Sequence, residues 1–180
     1  MLKSLIKKLR VFCFVFLLIF LFPHKGYSQE DRNLYNRGIQ AAREGKADSA
    51  FLHFNRLLNN FPDSEYTRQA LFGTGEYYFS IGDYYDAKRN FEKFVNNYPE
   101  SEARLYVIAY LIKIAEKEGR ENEIGKLKEK LIGSQQVSLL FRDFKEHSYT
   151  SPLNRNYKAL NFIDKIEIYL DGELFAKISF

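Results

Sequence analysis

The sequence predicts a mainly α fold, an α-solenoid of about three helical hairpins followed by a C-terminal β-hairpin, and three observations carry that expectation. The chain matches itself at a shift of 37 residues. Each matching unit carries two apolar stripes at helical spacing around a glycine, and the last residues alternate apolar and polar on both sides of an Asp-Gly pair. The 180 residues are 46% hydrophobic and 28% charged, enough apolar material for a sizeable core, which excludes a disordered, collagen-like or disulfide-scaffold chain.

The first element, residues 1–28, reads as a secretory signal peptide. Val11 to Phe22 is an unbroken apolar run preceded by Lys3, Lys7, Lys8 and Arg10 and followed by Pro23-His24-Lys25 and then by the small residues Gly26 and Ser28 at positions −3 and −1, so cleavage is expected before Gln29. The alternative is an uncleaved anchor, since Leu2, Leu5, Ile6 and Leu9 are apolar too. A spanning helix needs about 20 consecutive apolar residues, and Lys7, Lys8 and Arg10 interrupt the extension. Cys13, the only cysteine, lies within the apolar run and lacks the small residues that precede a lipid-modified cysteine. A chain beginning at Gln29 would have neither disulfides nor thiol chemistry.

The net charge of +4 belongs to this same segment, which holds five bases and no acid and leaves 22 bases against 23 acids in the rest of the chain. Without a basic excess the electrostatic footprint of a nucleic-acid binder is missing.

Residues 29–132 hold the repeats. At the 37-residue shift Gly38 falls on Gly75, Gly45 on Gly82, Ala50 on Ala87, Phe54 on Phe91, and Phe61-Pro62 on Tyr98-Pro99. In the second unit Leu71, Thr74, Gly75 and Tyr78 mark one helix, Gly82-Asp83 breaks it, and Ala87, Phe91 and Phe94 mark another that ends before Pro99. Gly75 and Ala87 are small where the helices approach, and the aromatic rings fill the space around that contact. A third unit places Ile108, Leu111, Ile112, Ala115 and Gly119 in its first helix and Ile124, Lys128 and Leu131 in its second, a degenerate terminal copy with a more polar outer face.

The order small residue, Tyr, Gly, aromatic, Ala, Phe, Pro in Gly75, Tyr78, Gly82, Tyr84, Ala87, Phe91 and Pro99 resembles the tetratricopeptide (TPR) repeat, and the fold is therefore expected to be a TPR-type α-solenoid. The junctions Phe61-Pro62-Asp63-Ser64 and Tyr98-Pro99-Glu100-Ser101 look like those of bacterial-envelope TPR proteins, notably the BamD-type component of outer-membrane β-barrel assembly and the coordinator of the Tol-Pal system. The BamD-type resemblance implies a lipidated N-terminus and about five repeats, and the chain departs from it in both respects. Ser64 and Ser101 have a local role as well, as caps of the following helices.

Catalytic constellations are scarce. After Ser28 the histidines are His53 and His147, there is no cysteine, and no phosphate loop, metal-ligand spacing or nucleophile elbow occurs. No catalytic residue, metal ligand or cofactor is expected; an unrecognised carboxylate site is the enzymatic alternative. The TPR resemblance implies instead that the first helix of each unit lines a concave side. The candidate protein-binding residues there are Tyr35, Phe72, Glu76, Phe79, Tyr106 and Lys113, rings for apolar area and charges for register, suited to an extended peptide or a helix. The same rings could pack between helices or against the C-terminal tail.

Residues 133–161 read as a helical extension from Gln135 to Phe144, through Val137, Leu140, Phe141 and Phe144, followed by a connection rich in turn formers from Ser148 to Asn156. Residues 162–180 read as a β-hairpin, with Ile166, Ile168 and Leu170 on one side of Asp171-Gly172 and Leu174, Ala176 and Ile178 on the other. A lone hairpin is marginal, so it is expected to pack on the last helices or to pair with another chain's strand. The sequence thus points to a non-enzymatic adaptor exported to the periplasm or the periplasmic face of the outer membrane. Its expected partner is another envelope protein or peptide segment, with any membrane association made through a complex. The alternative is an envelope subunit anchored by an uncleaved N-terminal helix.

Overall fold

A computed structural model of the chain describes residues 29–141 and 146–180, with side chains left undescribed over 133–141. The expected signal peptide lies outside the described residues. Among the described residues six helices come first: α1 (Gln29–Arg43), α2 (Ala47–Asn60), α3 (Thr67–Ser80), α4 (Tyr84–Asn97), α5 (Arg104–Lys117) and α6 (Glu121–Phe141). They form three antiparallel pairs, and each pair closes in the same way. Gly45, Gly82 and Gly119 adopt φ of 73°, 83° and 67°, a left-handed conformation that favours glycine. Around each of them a Schellman closure forms, seen in the bonds from Lys46 N–H to Ala41 C=O, Asp83 N–H to Tyr78 C=O and Arg120 N–H to Ala115 C=O, all 2.9 Å. The third pair, weakest in sequence, is therefore turned by the same device as the other two.

Within a pair, glycine meets phenylalanine. A Cβ placed on Gly38 would lie 2.5 Å from the Phe54 ring, and one on Gly75 would lie 2.5 Å from the Phe91 ring. Both rings are fully buried, each burial contributing about 1.5–3 kcal/mol. Between pairs the chain turns on serine: Ser64 Oγ accepts from Tyr66 N–H at 3.2 Å and Ser101 Oγ from Ala103 N–H at 3.3 Å. These bonds close the turn just ahead of α3 and α5; the serines stand outside the helices and are not their N-caps, a small correction to the capping expected from sequence.

The C-terminal part is larger than the hairpin expected. Strands β1 (Glu146–Thr150), β2 (Asn156–Asn161), β3 (Lys165–Leu170) and β4 (Glu173–Ser179) form an antiparallel meander in the order β1-β2-β3-β4. The expected hairpin is β3 and β4, turned by Asp171 and Gly172 at φ of 51° and 90°. The connection expected over Ser148 to Asn156 is in fact the end of β1, a tight turn with Asn154 at φ 61°, and the start of β2. Nor does the chain break at 132/133, the boundary expected from the change of periodicity, because α6 runs on unbroken to Phe141. A register shift at Ile168/Tyr169 leaves Phe175 as an extra residue in β4 and turns it toward the helices.

The core falls into two clusters. The larger runs from α3 through α6 into the sheet, joining Phe72, Phe91, Tyr106 and Ile108 to Tyr157, Ile168 and Ile178. The smaller belongs to the first pair and holds Leu34, Ala41, Ala50, Phe54 and Leu57 with Ala70 from α3.

Candidate binding face

The first helices of units two and three, α3 and α5, present the expected concave residues to the protein's own sheet. Phe72 is fully buried, with ring centroids of Tyr149 at 5.8 Å and Tyr157 at 5.9 Å. Tyr106, also fully buried, stacks on Tyr149 at 5.7 Å and donates its hydroxyl to the His147 carbonyl oxygen at 2.9 Å. Phe79 meets Phe175 edge-on at 6.2 Å, and Tyr110 reaches the same ring at 4.7 Å. The sheet thus brings Phe72, Glu76, Phe79 and Tyr106 together beneath it.

Two candidates lie elsewhere. Tyr35 of α1 is half-buried and stacks on Tyr66 at 4.4 Å with the rings 12° apart. Lys113 pairs with Glu116 of its own helix at 3.5 Å.

Glu76 is the most perturbed group on this face. It is buried, and Tyr157 donates its hydroxyl to Oε1 while Oε2 has no hydrogen-bond partner. Tyr110 lies 2.6 Å from the Tyr157 hydroxyl, so Tyr110, Tyr157 and Glu76 form a buried relay of hydrogen bonds ending on a carboxyl. Burial pushes the Glu76 carboxyl up to about 7, against the opposing pull of the Tyr157 and Ser151 hydrogen bonds and the charge of Arg155. The same burial, with Glu76 nearby, drives the Tyr157 hydroxyl well above its ordinary range. Tyr110, Tyr149, Tyr157 and Phe175 were not among the candidates from sequence. The alternation of Tyr149 with His147 and of Tyr157 with Ala159 was the signal that could have found the sheet residues.

At the N-terminal end the sheet stops short of α1. A slot of about 260 Å³ remains there, lined by Tyr35, Ile39 and Arg43 of α1, Gln69 of α3, and the β1 end from Tyr149 to Pro152. The larger cavity, about 760 Å³ between α4, α5 and α6, is rimmed by opposed charges already paired, Lys88 with Glu123 at 3.0 Å and Arg120 with both Glu118 and Glu123. Among the described residues no cluster of three His, Cys, Asp or Glu side chains is arranged to hold a metal ion. No helix among them is long and apolar enough to cross a membrane.

Three glycine-turned helical pairs stacked in register, with a concave side formed by their first helices, make this a TPR-type solenoid with a sheet laid into its groove. The sequence profile of the family described as YfiO, outer membrane lipoprotein, matches residues 27–161, a span that takes in all of α1 and ends with β2. The chain belongs to this BamD-like family of envelope-associated proteins. The β3–β4 hairpin lies beyond the matched residues. The family description speaks of a lipoprotein, and Cys13, the cysteine on which that would turn, lies outside the described residues. No curated protein matches the chain significantly.

Proposed function

We propose that the chain is a non-enzymatic TPR adaptor exported to the bacterial envelope, at the periplasmic face of the outer membrane, where it holds another envelope protein during outer-membrane protein assembly or envelope maintenance. The observation that carries this reading is the concave face itself. It is an aromatic surface, Phe72, Phe79 and Tyr106, that already receives β structure in the form of the protein's own sheet, with Tyr35 beyond its N-terminal end. Rings of this kind give area at low conformational cost, and Lys113, with Glu76 once the sheet is displaced, supplies the polar points that set orientation. The sheet occupies the middle of the groove, so a partner meets the N-terminal end around Tyr35 or displaces the sheet.

The test is site-specific photo-crosslinking in the native envelope. A crosslinker at Ile39, on the concave side, is expected to capture one defined outer-membrane protein; one at Tyr85, exposed on α4, is expected not to. Equal capture at both positions, or none at either, overturns the reading. The anchored-subunit alternative rests on the apolar run Val11 to Phe22, and an exported chain whose first residue is Gln29 eliminates it.

A further inference from the structure

The two edges of the sheet differ. β4 is blunted by the Phe175 bulge and carries Lys177, two devices that discourage a further strand. β1 has neither. Its register with β2 is regular over all five residues, and β2 is the one described element that runs alongside it.

The backbone groups that β1 leaves open follow from alternation. Asp171 N–H bonds to Asn156 C=O, so Asn156 faces β3 and its neighbour Tyr157 faces β1. Tyr157 opposes Tyr149, and the Ser151 N–H to Arg155 C=O bond has the same parity. Tyr149 and His147 therefore face β2, and the N–H and C=O of Glu146, Ser148 and Thr150 point to the outer edge.

That edge borders the slot against α1. At about 260 Å³ the slot is below the roughly 300–1,000 Å³ of a small-molecule pocket, which suits the side chains of an added strand. Gln69 Oε1 is buried in its wall and accepts no hydrogen bond, so it wants an N–H donor. Arg43 lines the slot, and both Arg43 and Arg68 act on the Tyr35 hydroxyl. Among the described residues neither arginine is in an ion pair.

We propose that the outer edge of β1 and the slot beside it form a strand-addition site, which takes one extended segment of another polypeptide bearing an acidic side chain. The segment bonds to the backbone of Ser148 and Thr150, gives an N–H to Gln69, and sets its carboxylate against Arg43. This deepens the adaptor reading above and rests on it, naming the class of partner as an acidic, extended chain.

The probe is a fluorescent peptide of about ten residues, long enough to make one strand, alternating valine and threonine with a central aspartate. A second peptide carries lysine in place of the aspartate. The wild-type protein is expected to bind the aspartate peptide saturably, in preference to the lysine one. Arg43→Glu weakens the aspartate peptide by about tenfold and favours the lysine peptide. Ser148→Pro, which removes an outward N–H and leaves the β1–β2 ladder intact, abolishes binding of both. Should Ser148→Pro fail to fold, slowed amide exchange at Ser148 and Thr150 of the wild type on adding the aspartate peptide supports the site. The absence of saturable binding, affinities indifferent to Arg43→Glu, or unchanged exchange at those two amides overturns it. Dimerisation lost in Ser148→Pro would also overturn it, by assigning the edge to a second copy of the chain. If the Ile39 crosslink persists in Ser148→Pro, the adaptor reading stands and the strand site falls; loss of specific crosslinking in the wild type defeats the adaptor reading itself.

Discussion

Tyr157 of β2 donates a hydrogen bond to Glu76 of α3 across 81 residues of chain, at a point where neither side chain reaches water. The bond fixes the sheet to the concave face by a polar contact in a largely aromatic interface, alongside the bond from the Tyr106 hydroxyl to the His147 carbonyl oxygen. Its carboxyl partner is costly to ionise there, because the surroundings offer the hydroxyls of Tyr157 and Ser151 and the charge of Arg155 where water would offer a full shell.

Stability should therefore fall as pH rises through this site. Glu76 has a folded-state value near 7 against an ordinary 4.5, so between those values the folded state holds more protons than the unfolded one. Its contribution is fully present below about pH 4.5, declines through pH 7, and the loss amounts to roughly 3 kcal/mol at pH 8. In Glu76→Gln that decline is absent. Urea denaturation of both proteins from pH 5 to 8 checks it: the difference between them must change with pH, and parallel profiles would exclude the buried carboxyl as the source.

Glycines in this chain should respond oppositely to alanine according to place. Gly75→Ala drives a methyl into the Phe91 ring, with an initial separation of 2.5 Å, and is expected to cost about 1–3 kcal/mol. Gly125→Ala, in the interior of α6 with nothing within 4 Å, is expected to stabilise by about 0.5–1 kcal/mol. Thermal unfolding of the two variants gives both signs in one experiment.

Phe72→Ala is expected to lose about 3–5 kcal/mol, since the ring is fully buried against Phe91, Phe94, Tyr110, Tyr149 and Tyr157. A loss of partner binding in that variant would thus report unfolding as much as a missing contact. Guanidinium titration measures the loss directly, and a value under about 1 kcal/mol, the scale of an exposed position, would place Phe72 outside the core.

Asp171 joins the two turns at one end of the sheet: its carboxylate accepts from Asn156 N–H at 2.8 Å and pairs with Arg155. Asp171→Ala loses both contacts and puts alanine at a φ of 51°, for an expected cost of about 1–2 kcal/mol. Asp171→Asn, which tolerates the left-handed backbone and keeps an acceptor, should retain most of the stability in the same denaturation assay.

Much of the fold was legible because its determinants are local. Gly82 and Gly119 announce their turns through the φ they need, Gly75 and Phe91 announce a helix crossing through their sizes, and Asp171-Gly172 announces a hairpin. β1 and β2 were missed for an equally physical reason. Their inward residues are His147, Tyr149, Tyr157 and Ala159, types that occur as readily in loops, and the Ser, Pro and Asn residues between them read as one long connection. At the candidate face, sequence put Phe72, Glu76, Phe79 and Tyr106 on one concave side together with Tyr35 and Lys113, which lie apart from the four under the sheet. It could not say what lies over them, since an aromatic groove built for a partner and one built for the chain's own sheet use the same residues.

The division of the core into two clusters has a consequence for how the molecule comes apart. The sheet is welded to the second and third helical pairs through Tyr157, Ile168 and Ile178, while the first pair keeps a small apolar store of its own around Phe54. Subglobal opening will begin there, because fewer buried side chains must be exposed to release it. One jaw of the slot, the wall bearing Tyr35, Ile39 and Arg43, is thus mounted on the most labile part of the protein, and the opposite jaw on the most rigid.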